Sequence, residues 1–311
     1  MAEWVERKIS DIGTVVGGAT PSTKKPENYE GGKIAWITPK DLSTFSGRYI
    51  ERGERNITEI GLKSCSTQLL PPNTVLFSSR APIGYVAITA NEVCTNQGFK
   101  SVIPNENTDP LFLFYLLKYN KDKIEGMGSG TTFKEVSGNT MKNILVNVPT
   151  DKKVQEKIAA ILGSIDDKIE ENERINNNLE QQAQAICQQM FIDNALSDWT
   201  EGTLSDIADI TMGQSPSGNS YNEDKNGTIF FQGRAEFGFR FPSVRLYTTE
   251  PKRMAQSKDT LMSVRAPVDD INVAHTDCCI GRGLAAIHSK SNHQSFVLYT
   301  MFSLKKTVRC F

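Results

Sequence analysis

The sequence predicts a mixed α/β (α+β) protein, two similar modules joined by a long coiled-coil-like helix, within a chain of 311 residues. Three observations lead there. Residues 151–193 carry an uninterrupted helical pattern, the stretches on either side of it repeat one another in order, and each stretch mixes strand-like alternation with helical runs. The expected boundaries are 1–150 for the first module, 151–195 for the spacer helix and 196–311 for the second module.

The connector lacks proline and has a single glycine, Gly163. Ile158, Ile165, Asn172, Leu179 and Ile186 share one heptad seam, and Ile161 and Ile175 fall three residues after members of it. Leu162, Ile169, Ala183 and Met190 broaden the stripe, while the opposite face is Glu, Lys, Gln and Asn. About 43 helical residues would span roughly 60 Å, more than one globular domain needs. Asn172 and the run Asn176–Asn178 interrupt the seam midway. A polar seam residue lowers stability but fixes register and partner number. The stripe therefore reads as a docking face, although a helix lying on its own module's core would also show one.

The repeat is visible residue by residue. At an offset of 195, Ser10–Ile12 matches Ser205–Ile207, Gly18 matches Gly213, Pro21 matches Pro216 and Asp41 matches Glu236. After a ten-residue gap the offset becomes 185, pairing Leu76–Pro82 with Leu261–Pro267, Gly98 with Gly283, and Leu111–Leu117 with Phe296–Phe302. Several matches in one order with a single gap indicate duplication.

Within the first copy, Ile9–Val16 reads as a helical turn or strand entry, Gly17–Ser22 as a loop and Lys33–Thr38 as a strand ended by Pro39. Thr44–Cys65 reads as a polar loop with a short helix. Thr74–Ser78 and Gly84–Thr89 are predicted strands around an Arg-Ala-Pro corner, and a loop at Val93–Phe99 leads to a strand at Lys100–Ile103. Asp109 is placed to cap an apolar helix running to Tyr119. Gly126–Phe133 is a glycine-rich flexible loop, and Asn143–Val148 a last strand.

Composition is that of a soluble protein, with 38% hydrophobic and 23% charged residues. No apolar run approaches the ~18 residues of a membrane span, and the amino terminus is no signal peptide, so a cytoplasmic protein without membrane contact is expected. Six scattered cysteines without CxxC spacing read as reduced thiols, with zinc or disulfides as the lesser alternative. The net charge of −1 divides unevenly: residues 1–150 hold 17 Lys/Arg against 15 Asp/Glu, residues 151–199 hold 5 against 10, and residues 200–311 hold 13 against 11. Acid gathers on the connector and base on the modules, which removes the objection that net charge raises to a nucleic-acid partner.

Catalytic signatures are missing. The sequence has no phosphate loop, zinc-protease helix or nucleophile elbow, no methyltransferase tetrapeptide, and no nuclease-type carboxylate–lysine array. His275, His288 and His293 all lie in the second copy, so a role shared by both copies cannot use them. A non-catalytic chain needing neither cofactor nor metal is expected.

Ile37–Ser43, Leu76–Gly84, Thr95–Phe99, Gly128–Pro149 and Gln155–Glu180, the last two most specific, make the chain resemble the specificity subunit of type I restriction–modification enzymes over almost its whole length. The resemblance implies two target-recognition domains, each reading one half of a split double-stranded DNA site. It also implies helices that space them and dock methyltransferase subunits, which in turn hold restriction subunits. Two readers held apart suit groove geometry, and about 60 Å of helix sets an upper limit near 18 base pairs at ~3.4 Å each. The second copy reaches Phe311 opposite Gly126, without equivalents of the glycine-rich block, the last strand or the second helix that runs antiparallel to the first in the family. A truncated, less stable second domain, or self-association of two chains through residues 151–193, is the expectation. The alternative function is an interaction protein that docks methyltransferase without gripping DNA.

Candidate DNA-contacting residues are Lys40, Arg80, Gln97, Lys134, Arg234, Arg240, Arg265 and Arg282. Arg80 and Arg265 share a corner position and read either as structural arginines paired with a buried carboxylate or as phosphate clamps, since a residue common to both modules cannot by itself read different bases. Arg240 and Arg245, among Phe237, Phe239 and Phe241, form a basic–aromatic patch or else an amphipathic strand. The differing stretches Thr44–Cys65 and Gly238–Met254 are where different bases would be read.

Overall fold

The computed structural model of the chain describes residues 3–80, 82–130 and 134–308. It divides into two compact units, Met1–Glu173 and Arg174–Phe311, with the boundary inside the long helix. Thr131–Phe133 of the glycine-rich loop, Ala81 of the corner and Arg309–Phe311 lie outside the described residues.

In unit 1, the strand Trp4–Lys8 pairs antiparallel with Leu145–Pro149, from Trp4 opposite Pro149 to Lys8 opposite Leu145, and so joins the start of the module to its end. The turn Ile9–Ile12 follows, and Asp11 within it accepts from the Lys8 backbone N–H at 3.0 Å. A five-stranded sheet then runs in the order Gly13–Gly17, Lys100–Pro104, Val75–Ser79, Ile83–Thr89, Tyr49–Ile50. Successive side chains of a strand face opposite ways. Val75 and Phe77 therefore join one core with Val102, Phe114 and Leu117, while Leu76 joins another with Ile37, Phe99 and Leu42. Both faces of Val75–Ser79 are covered, and all five residues are buried. The helix Pro110–Tyr119 lies on the first core; Asp109 caps it by accepting from Phe112 N at 2.7 Å. A smaller sheet orders Arg55–Ile57, Ile34–Ile37 and Cys94–Thr95, the last two strands parallel.

Unit 2 repeats this order and sense. Ala208–Met212, Leu284–Ser289, Thr260–Ser263 and Ile271–Val273 form an antiparallel sheet that matches the first four strands of the unit 1 sheet one for one. The parallel pair returns as Phe230 opposite Cys279, the counterpart of Trp36 opposite Cys94 in unit 1. The helix Gln294–Val308 buries Val297 and Met301 against Ile287 and Ala208.

The connector is an α-helix over Lys152–Gln188, continued by a π turn at Gln189–Asp193. Its first turns belong to unit 1: Ala159 is buried in the first core and Ile158 packs against it. Gln155 is buried, accepting from Asp109 N at 3.0 Å and donating to Pro149 O at 3.1 Å and Asn107 O at 3.3 Å. Gly163 allows a close approach, since a Cβ there would sit 3.2 Å from Arg48 Nη1. Arg48 in turn bonds Gly163 O at 3.3 Å and pairs with Asp167 and Glu170, and the Tyr115 hydroxyl donates to Asp166 at 2.8 Å. Burial, reinforced by Asp166, pushes that hydroxyl up to about 12.

Several local expectations differ from the structure. Pro39 does not merely end a strand; it occupies the first turn of the helix Pro39–Ser43, where its missing N–H costs nothing. The polar segment 44–65 contains strands at Tyr49–Ile50 and Arg55–Ile57 besides the helix Glu59–Lys63. Residues 237–245 form no strand at all.

Replacing Gln155 by Ala strands one buried N–H and two carbonyls between the helix, the 105–109 turn and the last strand. The expected loss is about 2–3 kcal/mol in unit 1, measured by denaturant unfolding, and a smaller loss than for Ala at exposed Gln181 would contradict this role.

Candidate nucleic-acid interface

The matched Arg-Ala-Pro corners are held alike. Ser78 Oγ donates to Pro82 O at 2.8 Å and accepts from Tyr85 N at 2.8 Å; Ser263 Oγ donates to Pro267 O at 2.8 Å and accepts from Asp270 N at 3.0 Å. The strand end beside each corner bonds a matched glycine, Ser79 N to Gly98 O at 2.7 Å and Val264 N to Gly283 O at 2.9 Å. The matched acidic residues share a task as well. Asp41 accepts from Thr38 N and Glu54 N, both at 2.7 Å, while buried Glu236 accepts from Gly233 N at 3.2 Å and from Arg245 Nη2 at 3.0 Å.

In unit 2 this frame brings Arg234, Arg245, Arg265 and Arg282 to one open depression of about 480 Å³, bordered by Gly233, Glu236 and Pro267. Arg245 is fixed by Glu236, and Arg234 pairs with Asp270. Lys305 donates to Asp270 at 2.8 Å, and together with Arg234 it holds that carboxyl below the usual carboxylate range. Arg265 and Arg282 are exposed and form no ion pair among the described residues. Two oriented guanidiniums and two uncommitted ones in one concavity suit the phosphates and base edges of a nucleic acid, where Arg offers parallel N–H donors. Arg245, which stands among aromatic residues in the sequence, lines this depression beside Glu236, the residue matched with Asp41.

Unit 1 is organised differently. Lys40 is exposed and paired with Glu54 at 2.9 Å, beside an open depression of about 600 Å³. Arg80 pairs with Glu135 at 3.5 Å, and Lys100 joins the same carboxylate at 3.3 Å. Its carboxylate is half-exposed rather than buried. Gln97 is exposed and accepts from the Thr20 hydroxyl. Lys134 is exposed next to the bridge between Ser129 and Glu135. Arg240 does not join the other arginines: it bonds Glu180 at 2.7 Å and the Tyr299 hydroxyl at 3.3 Å, and so ties its loop to the helical residues of unit 2.

Of the heptad positions, Ile165 is 53% exposed, Leu179 58% and Ile186 56%, and Asn172 is exposed too, whereas Ile158 is partly buried. Unit 2 engages the helix by Glu180 and buried Cys187, and Phe191 stacks edge-on against Phe296 at 4.8 Å. Burial pushes the Cys94 thiol up to about 11 and Cys278 to about 12, which makes them inert core groups. Among the described residues no three His, Cys, Asp or Glu side chains are grouped to hold a metal ion, and no helix is long and apolar enough to cross a membrane.

Residues 1–181 match the family described as type I restriction modification DNA specificity domain, and the chain belongs to that family. It is 46% identical over 193 residues to the type I restriction enzyme MjaIX specificity subunit of Methanocaldococcus jannaschii, covering 61% of this chain and 44% of that protein. A putative MjaX specificity subunit of the same organism is 29% identical over 98% of this chain and 77% of its own length. The chain thus spans less than half of the first relative's length. The crystal structure of a type I restriction–modification S subunit from M. genitalium shares the fold, with a TM-score of 0.60 at 17% identity, over 99% of this chain and 80% of that one.

Because Asp270 is depressed in the folded unit, its pairing contributes stability that is present above about pH 4 and lost as pH falls through the folded value. Unfolding of unit 2 followed from pH 6 to 3 should show this acid-sensitive loss, and Asp270→Asn should flatten it; an unchanged acid profile in the variant would count against the pairing.

Proposed function

We propose that the chain supplies DNA specificity to a type I restriction–modification enzyme. Each unit contacts one part of a split duplex site, and the exposed apolar positions of the long helix receive methyltransferase subunits, through which restriction subunits are held. The chain performs no covalent step itself; its part is recognition and assembly. The observation that carries the reading is the arginine-lined depression of unit 2 in a chain whose first 181 residues belong to a DNA specificity family. Arg265 lies there without a carboxylate partner among the described residues, as a phosphate-neutralising group must if it is to release counterions. Ile165, Leu179 and Ile186 support the docking half: apolar side chains in a row on a solvated helix are the seam a second helix would bury.

Duplex binding should weaken linearly in log affinity with log salt, with a slope of about −0.9 per phosphate contact. Arg265→Ala should reduce that slope by about 1 and weaken all sequences alike. Binding that ignores salt, or its complete absence, would contradict the reading.

Ile165→Asp with Leu179→Asp should abolish co-purification with a methyltransferase subunit while leaving the salt slope of duplex binding intact. Retained co-purification would remove the helix from the docking surface.

A further inference from the structure

The two units build one loop on the same backbone frame and place different side chains at its tip. Ala19 N donates to Thr95 O at 3.0 Å in unit 1, and Gln214 N to Ile280 O at 3.0 Å in unit 2. Asn96 N donates to Ile37 O at 3.1 Å, and Gly281 N to Phe231 O at 2.8 Å. With the strand-end bonds to Gly98 O and Gly283 O, that makes three backbone hydrogen bonds at corresponding positions. Close approach seals both copies: a Cβ on Gly18 would lie 2.2 Å from Thr95 O, and one on Gly213 2.1 Å from Gly281 O. Even the flanking hydroxyls correspond. Thr20 donates to the Gln97 amide oxygen, and Ser215 accepts from Arg282 N at 3.3 Å. Gln97 and Arg282 then occupy the same place, immediately before Gly98 and Gly283, and both are exposed.

We infer that this position selects one base in each half of the DNA site, Gln97 an adenine and Arg282 a guanine; the inference rests on the DNA-reading function proposed above. A side-chain amide carries an acceptor and a donor side by side, the complement of adenine N6–H and N7. A guanidinium carries two parallel donors, the complement of guanine O6 and N7. The Thr20 bond sets the orientation of the Gln97 amide without exhausting it, since a carbonyl oxygen has a second lone pair and both N–H donors remain. Arg282 has no acidic partner among the described residues, so no internal ion pair is broken when it turns to a base. Residues that the units hold in common, such as Arg80 and Arg265, cannot distinguish the two half-sites; a position that is equivalent in backbone and different in chemistry can.

The test selects bound duplexes from a randomised pool with the full chain and sequences them. Gln97→Arg should convert one adenine of one half-site to guanine, and Arg282→Gln one guanine of the other half-site to adenine. Each swap should shift relative affinity at that base roughly ten- to hundred-fold and leave the remaining half-site unchanged. The truncations Gln97→Ala and Arg282→Ala should erase preference at the same bases. With the unaltered chain, 7-deazaguanine, which lacks N7, should weaken binding when it replaces the guanine assigned to Arg282. A motif that survives the swaps, with affinity lowered evenly over all sequences, would overturn the inference in favour of a phosphate contact. An unaltered chain that selects no motif would overturn the DNA-reading function and this inference with it.

Discussion

Two glycine contacts carry the loop geometry that both units share. Gly18 lies so close to the Thr95 and Asn96 carbonyls, and Gly213 to that of Gly281, that a single methyl group on either would overlap an oxygen. Those approaches press the loop after the first sheet strand onto the loop before the next, and the bonds from Ala19 and Gln214 lock them. An exposed tip residue standing on such a frame has its backbone fixed by groups it does not itself supply. The two units accordingly carry different side chains, Gln97 and Arg282, on that one backbone frame.

Carboxylates do the second part of the positioning. Glu236 is buried and orients Arg245, while Asp270 receives Arg234 and Lys305 together. A guanidinium held by a carboxylate loses less rotamer freedom when it meets a ligand. Arg80 and Arg240 are likewise paired, with half-exposed Glu135 and with Glu180 and Tyr299.

The duplication, the long helix and the Asp109 cap were legible in the sequence because each is a local or periodic signal. The offset of 195 paired Asp41 with Glu236, and in the structure both accept backbone N–H groups just past the end of a strand. Long-range pairing was not legible. Trp4–Lys8 forms a strand only because Leu145–Pro149 lies beside it, and its burial pattern is almost wholly exposed, so no apolar alternation marks it. Arg240 stood among aromatic residues and looked like a binding patch, yet its partner Glu180 is 60 residues away. The helix itself was legible from its spacing, but the burial of Ile158 in unit 1 depends on a core that the heptad pattern does not describe.

Hydroxyl-radical footprinting of the full chain on a duplex carrying its selected motif addresses the pairing of two equivalent frames with two half-sites most directly. Two protected tracts separated by reactive, unread base pairs are expected, each altered only by changes in one unit. One uninterrupted tract, or protection that responds to a single unit alone, would contradict it.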